Sequence, residues 1–154
     1  MRCLIDTNIL LRFVNTQDTQ HPVVAGAIEA LSVQGAAICI VPQNMYEFWA
    51  VASRPQGVNG LGWKAAQLQT IIQTLQTRLL FLDDPPELFA TWLELVATHE
   101  VSGKPSHDAR LAAAMQVHGL DALLTFNGPD FKRFGVQIIH PADLPAPDPT
   151  SENL

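Results

Sequence analysis

Asp6, Glu47, Asp108 and Asp130 are scattered over a 154-residue chain, yet each stands in the same kind of place. Asp6 follows the apolar run Cys3-Leu4-Ile5 and precedes a second apolar pattern, Ile9, Leu10, Leu11 and Phe13. Glu47, in "PQNMYEFW", comes soon after "AICIV"; Asp108 lies near the start of "SHDARLAAAMQVHG"; Asp130 comes shortly after "ALLTFNG". Carboxylates collected into one pocket would repel one another and hold protons more tightly unless a cation lay between them. Oxygen donors without a His or Cys cluster suit Mg²⁺ or Mn²⁺. An ion so held can activate water and neutralise the charge developing on a phosphodiester, and two ions about 4 Å apart can share those tasks.

Each acid also has a purely structural reading. Asp6 has the position of a helix N-cap or first-turn residue, where Asp is favoured. Asn44 with Glu47 three residues on has the spacing of a capping box. Asn127-Gly128-Pro129-Asp130 is turn chemistry. Asp108 fits such a reading least. Along a helix it shares a face with Leu111, Ala112 and Met115, the stripe that should meet a sheet, and an unpartnered carboxylate is costly to bury there.

The elements that must position these residues follow from periodicity. Strands are expected at Arg2–Asp6, Ala37–Val41, Leu79–Leu82, Ala122–Thr125 and Val136–Ile139. Helices are expected at Ile9–Val14, Val23–Ser32, Met45–Ser53, Lys64–Gln76, Pro86–His99 and His107–His118. Apolar strands alternating with helices predict an α/β fold with a mostly parallel, doubly wound sheet of about five strands. In such sheets ligands bind beyond the carboxyl ends of the strands, where these acids would converge. Arg54 to Gly62, with three Gly and a Pro, reads as a loop. The domain is expected over residues 1–141, followed by a frayed, Pro-rich tail over 142–154.

Length and composition fit one domain able to bury roughly 70% of its unfolded surface. Apolar residues make up 47%, and no apolar run is long enough to span a bilayer. No signal peptide is evident, and two cysteines, Cys3 and Cys39, make no disulfide framework, so a cytoplasmic protein is expected. The net charge of −6 speaks mildly against a nucleic-acid binder unless cations supply the positive charge. Lys104 and Arg110 flank Asp108, and Lys132 and Arg133 follow Asp130; these could hold phosphates or simply form a solvated face.

"LIDTNILL", "EFW", "HDARLAA" and "LLTFNGPDF", in that order over about residues 2–140, resemble a PIN domain, and specifically the toxin ribonucleases of VapBC toxin–antitoxin modules. The resemblance implies a three-layer α/β/α fold and Mg²⁺- or Mn²⁺-dependent endoribonuclease activity. It places Asp6, Glu47 and Asp108 at the family's three acidic positions. The fourth position commonly reads Thr-x-Asp; here Thr125 is followed by Asn127, leaving Asp130 either to supply the carboxylate or to contact a metal-bound water. Thr7 or Asn8 would orient Asp6 or bind phosphate. The resemblance further implies an antitoxin partner and a homodimer, with Trp49, Trp63 and Trp92 as interface anchors or as core.

Two other functions compete. A phosphatase of the haloacid-dehalogenase type also opens with an Asp after its first strand, but wants a second Asp where this chain has Asn8. A PIN-like binding or scaffold module without catalysis would account for Asn127 and the acidic charge.

Overall fold

The computed structural model describes residues 1–145. Five strands form one parallel sheet in the order β3-β2-β1-β4-β5. They are β1 (Arg2–Ile5), β2 (Ala37–Ile40), β3 (Leu80–Phe81), β4 (Ala122–Leu124) and β5 (Ile138–Ile139). Six α-helices connect them among the described residues: α1 (Thr7–Val14), α2 (His21–Val33), α3 (Pro42–Ala52), α4 (Ala65–Arg78), α5 (Leu88–Thr98) and α6 (Pro105–His118). Short 3-10 turns cover Gln56–Val58, Gly128–Phe134 and Pro141–Asp143.

Alternate residues of the central strands feed two cores. Cys3, Ile5, Ile38, Ile40, Ala122 and Leu124 meet α1 to α4 through residues such as Leu10, Ile28, Phe48 and Leu68. Leu4, Cys39 and Leu123 meet Leu88 of α5, Leu111 and Met115 of α6, and Phe131. Both faces of each central strand are covered, which is why the strands read as nearly unbroken apolar runs. The layers are therefore α/β/α, as expected. Cys3 and Cys39 sit in opposite layers of this arrangement, and burial pushes the Cys3 thiol up to about 11. It is an inert core thiol.

Four helices begin earlier than periodicity suggests, at Thr7 rather than Ile9, His21 rather than Val23, Pro42 rather than Met45 and Pro105 rather than His107, while α4 and α5 begin slightly later than expected. Proline at a first helical position lacks only a donor that would have no intrahelical partner, so both prolines lie inside their helices. The outer strands are shorter than expected, because Leu79, Leu82, Val136 and Gln137 lie outside the paired register.

The Arg54–Gly62 segment is a loop with internal structure. Gly62 N–H donates to the Arg54 carbonyl at 2.8 Å and Gly60 N–H to the Pro55 carbonyl at 3.2 Å. A Cβ at Gly60 would stand 2.0 Å from the Arg54 carbonyl oxygen, so only glycine fits this turn. Past residue 141 the chain stays in contact with the domain, since Leu144 packs against the first core. The remainder of the expected tail, residues 146–154, lies outside the described residues. No described helix is long and apolar enough to cross a membrane.

The sheet changes direction between β1 and β4: β2 and β3 lie to one side, β5 to the other. That is the topological switch point, where the adjoining connections diverge and leave a crevice at the strands' carboxyl ends.

Candidate metal centre

Asp6 is the first residue past β1, and its N–H donates to the Leu124 carbonyl of β4 at 3.0 Å, which fixes it at the switch point. The side chain is only 8% exposed. Its Oδ1 accepts the Thr7 N–H at 2.7 Å, and its Oδ2 accepts the Thr125 hydroxyl at 2.7 Å. Thr125, itself fully buried, accepts the Asn127 N–H at 3.0 Å. Burial pushes the Asp6 carboxyl up, the Thr125 and Thr7 donors pull it down, and Glu47 and Asp130 push it up again. The orienting groups are thus the Thr125 hydroxyl and the Thr7 backbone. The Thr7 hydroxyl has a different partner, Asn44 Nδ2 at 3.3 Å, while Asn8 lines the cleft.

Because α3 starts at Pro42, Glu47 lies in its second turn rather than its first. Nor is Asn44 the cap of a helix beginning after it. It is completely buried in the first turn, where its Oδ1 accepts the Val41 N–H at 2.9 Å and its Nδ2 donates to the Ile5 carbonyl at 3.0 Å. Asn44 thereby ties α3 to the end of β1. Glu47 is held by Gln43, one turn back: Gln43 Nε2 donates to Glu47 Oε1 at 2.7 Å. The same amide nitrogen donates to the His107 carbonyl at 2.8 Å, and Gln43 Oε1 accepts from Arg110 at 3.2 Å. Arg110 can only donate, which fixes the orientation of the Gln43 amide.

Asp108 stands half-buried in the first turn of α6, above the buried Leu111, Ala112 and Met115. Its carboxyl is raised to about 6, by burial first and then by Asp130, Asp6 and Glu47, with His107 opposing. Asp130 and Asn127 are exposed; Asp130 rides on the 3-10 turn anchored by buried Phe131.

Asp6, Glu47, Asp108 and Asp130 line one cleft together with Thr7, Asn8 and Asn127. The cleft continues along Glu47, Asp108 and Asp130 to Lys104, Pro105 and His107. Residue 6 reaches this crevice from the end of β1 in the central sheet and residue 108 from the first turn of α6. The donor set is carboxylate and amide oxygen, and Asp6 and Asp108 are each raised by neighbouring acids, Glu47 and Asp130 among them, as crowded negative charge requires. That chemistry fits a hard divalent cation. Among the described residues no group of three or more His, Cys, Asp or Glu is already arranged to hold an ion. The cleft gathers the donors without forming a finished coordination shell.

The basic residues near the acids divide differently from their sequence neighbourhoods. Arg110 is consumed by Asp84 at 2.7 Å and by Gln43. Arg133 lies over the Phe134 ring at 5.4 Å, and neither it nor Lys132 lines the cleft. Lys104 does line it, and so does Arg54, which its loop position in the sequence did not mark. Gln43 also escaped the sequence reading, although its i, i+4 spacing from Glu47 on a helix could have revealed it. Trp63 packs on Phe48 with ring centroids 6.4 Å apart, and Trp92 Nε1 donates to the Ser106 carbonyl at 2.8 Å; Trp49 is 38% exposed.

Residues 3–137 match the family model described as the PIN domain. Ribonuclease VapC24 from two strains of Mycobacterium tuberculosis, CDC 1551 / Oshkosh and H37Rv, is 31% identical over 138 residues, covering 85% of this chain and 90% of the relative. Among solved structures, VapBC2 from Rickettsia felis, bound to a DNA fragment from its promoter, aligns with a TM-score of 0.69 at 20% identity. That alignment covers 91% of this chain and 98% of the other. Mycobacterium tuberculosis VapC20, described as a sarcin–ricin loop cleaving toxin, aligns with a TM-score of 0.64 at 19% identity, covering 87% of this chain and 95% of the other. The structural likenesses speak for the fold.

Proposed function

The chain belongs to the PIN-domain family, and from that premise we propose that it is a Mg²⁺- or Mn²⁺-dependent endoribonuclease, the toxin of a type II toxin–antitoxin pair. One observation carries the chemistry: Asp6 from the end of β1 and Asp108 from α6 line a single cleft with Glu47 and Asp130. The ribonuclease name of the 31% identical relative supports RNA as the substrate. The solved VapBC assemblies support a cognate antitoxin. A homodimer is part of the same reading.

Asp6, Glu47, Asp108 and Asp130 would hold the cation. When bound, the ion supplies positive charge against the phosphodiester's developing charge and lowers the pKa of water. The chain's own contribution is orientation. Thr125 and the Thr7 N–H hold Asp6 in one rotamer and favour its charged form. Gln43 occupies one oxygen of Glu47 and leaves the other for the cleft. Burial and the neighbouring acids raise the Asp108 carboxyl to about 6, so a cation there competes with a proton as the pH falls. Thr7, Asn8 and Asn127 supply polar groups at the cleft wall, with Asn127 in place of a fourth Asp. The haloacid-dehalogenase reading falls with the family assignment. The domain is taken to span residues 1–141 and to act in the cytoplasm.

Purified chain should cleave RNA with Mg²⁺ or Mn²⁺ and stop with EDTA. Asp6→Asn and Asp108→Asn should each lower the rate by about 10²-fold or more, a loss of about 3 kcal/mol of transition-state stabilisation. Wild-type rates in both variants would overturn the assignment of the site, and a chain that cleaves no RNA with either ion would leave the non-catalytic scaffold as the surviving account.

A further inference from the structure

We infer that Arg54 and Lys104 bracket the carboxylate cleft as two phosphate contacts, one at each end, so that the RNA backbone crosses the acids between them. The identity of the polyanion as RNA rests on the function proposed above; the two cationic ends rest on the structure alone.

A chain of net charge −6 with four acids in its cleft repels a polyanion. Binding then needs cations placed beside the acids without neutralising them. Arg54 lines the cleft with Asp6, Asp108 and Asp130, and Lys104 lines its continuation with Glu47, Asp108 and Asp130. Both side chains are exposed, and the ion pairs among the described residues, Arg12–Asp18 and Arg110–Asp84, use neither.

Arg54 is held by a built turn. Its Nε donates to the Ala50 carbonyl at 3.0 Å, its carbonyl accepts Gly62 N–H at 2.8 Å, and Gly60 packs where no Cβ fits. With Nε occupied, the terminal guanidinium nitrogens remain for a ligand, in the fork geometry that suits phosphate. Lys104 sits directly before α6, after Gly103 at φ +71°, and its carbonyl accepts the His107 N–H at 3.0 Å. The same turn therefore sets Lys104 and, four residues on, Asp108. Such contacts fix where a strand lies without reading its sequence.

The test uses the full chain in an Asp6→Asn background and a labelled single-stranded RNA, with affinity measured by fluorescence anisotropy over a range of salt. Each phosphate contact on a single strand contributes about 0.7 to the slope of log K against log salt. Arg54→Ala and Lys104→Ala should each flatten the slope by about 0.7 and the double variant by about 1.4, weakening binding several-fold and equally on unrelated sequences. Arg54→Lys should restore most of the slope. Arg78→Ala removes a charge from the C-terminal end of α4, at the amino end of the strands, and should change nothing.

Wild-type slope and affinity in either Ala variant, an equal loss in Arg78→Ala, or no RNA binding at all would overturn the inference. RNA cleavage by the wild type with unchanged slopes sinks the phosphate contacts and spares the ribonuclease. Flattened slopes in a wild type that cleaves nothing spare the contacts and sink the ribonuclease.

Discussion

The Thr125 hydroxyl donates to Asp6 Oδ2 at 2.7 Å across 119 positions of sequence, joining the ends of the two strands between which the sheet reverses. A buried carboxylate with a donor on each oxygen is oriented before any ligand arrives. Thr125→Val keeps the shape and removes the donor. Hydrogen bonds to charged groups contribute about 1.5–3 kcal/mol, so the variant should lose that much stability at pH 7, measured by denaturant unfolding. Because the bond favours the ionised form, its loss raises the Asp6 pKa further, and the acid limb of the pH–rate profile should move to higher pH. An unchanged acid limb would remove Thr125 from the site.

Asp108 gives a prediction with a defined pH window. Its folded pKa is raised from 3.8 to about 6, so the native state binds the proton more tightly than the unfolded chain. Stability is highest below about pH 4 on this account and falls as pH rises through 6. Asp108→Asn has no charge to form, so its melting temperature relative to wild type should climb between pH 4 and pH 7. Adding Mn²⁺ at pH 7 should raise the wild-type melting temperature and raise that of Asp108→Asn much less. The contrast between pH 4 and 7, read by thermal melts, checks both statements.

Gln43 joins α3 to α6 beneath the cleft. Gln43→Leu removes one hydrogen bond each from the His107 carbonyl and from Arg110, which keeps Asp84, and frees Glu47 to turn. Hydrogen bonds of this kind contribute about 1 kcal/mol each, and a destabilisation of about 1–3 kcal/mol is expected by denaturant unfolding. A positioning role adds a loss in Mn²⁺ affinity, which a structural role alone would not produce. Calorimetry of Mn²⁺ binding separates the two.

Gly60→Ala tests the turn that carries Arg54. The new Cβ would fall 2.0 Å from a carbonyl oxygen, which is backbone and cannot step aside as a side chain would. Overpacking of this kind costs about 1–3 kcal/mol. The expected result is lower stability with weakened RNA binding that resembles Arg54→Ala. Wild-type stability would mean that the turn rebuilds freely.

Much of this was legible in the sequence for physical reasons. Strands covered on both faces must be apolar throughout, so "CLI", "AICI" and "ALL" stood out, and the acids beyond them marked the carboxyl ends of the sheet. The starts of α1, α2, α3 and α6 were read late because their first turns contain polar and proline residues that carry no apolar period; this misplaced Glu47 within α3 and hid Asn44's role. The Thr125–Asp6 bond, the Gln43 strut and the Arg110–Asp84 pair join residues far apart in sequence, and no local pattern announces them. Arg54 was invisible for a related reason: a loop's Gly and Pro tell where the chain turns, not which side chain the turn delivers.

β3 and β5, the outermost strands, are each two residues long. So brief a margin exposes hardly any unpaired main-chain amides and carbonyls, and a foreign strand seeking to extend the ladder would find almost nothing to grip. Aggregation by edge-to-edge growth is discouraged for the same reason. A protein that recognises this molecule must therefore read its side chains, on the helical flanks or across the crevice, rather than zip onto its sheet.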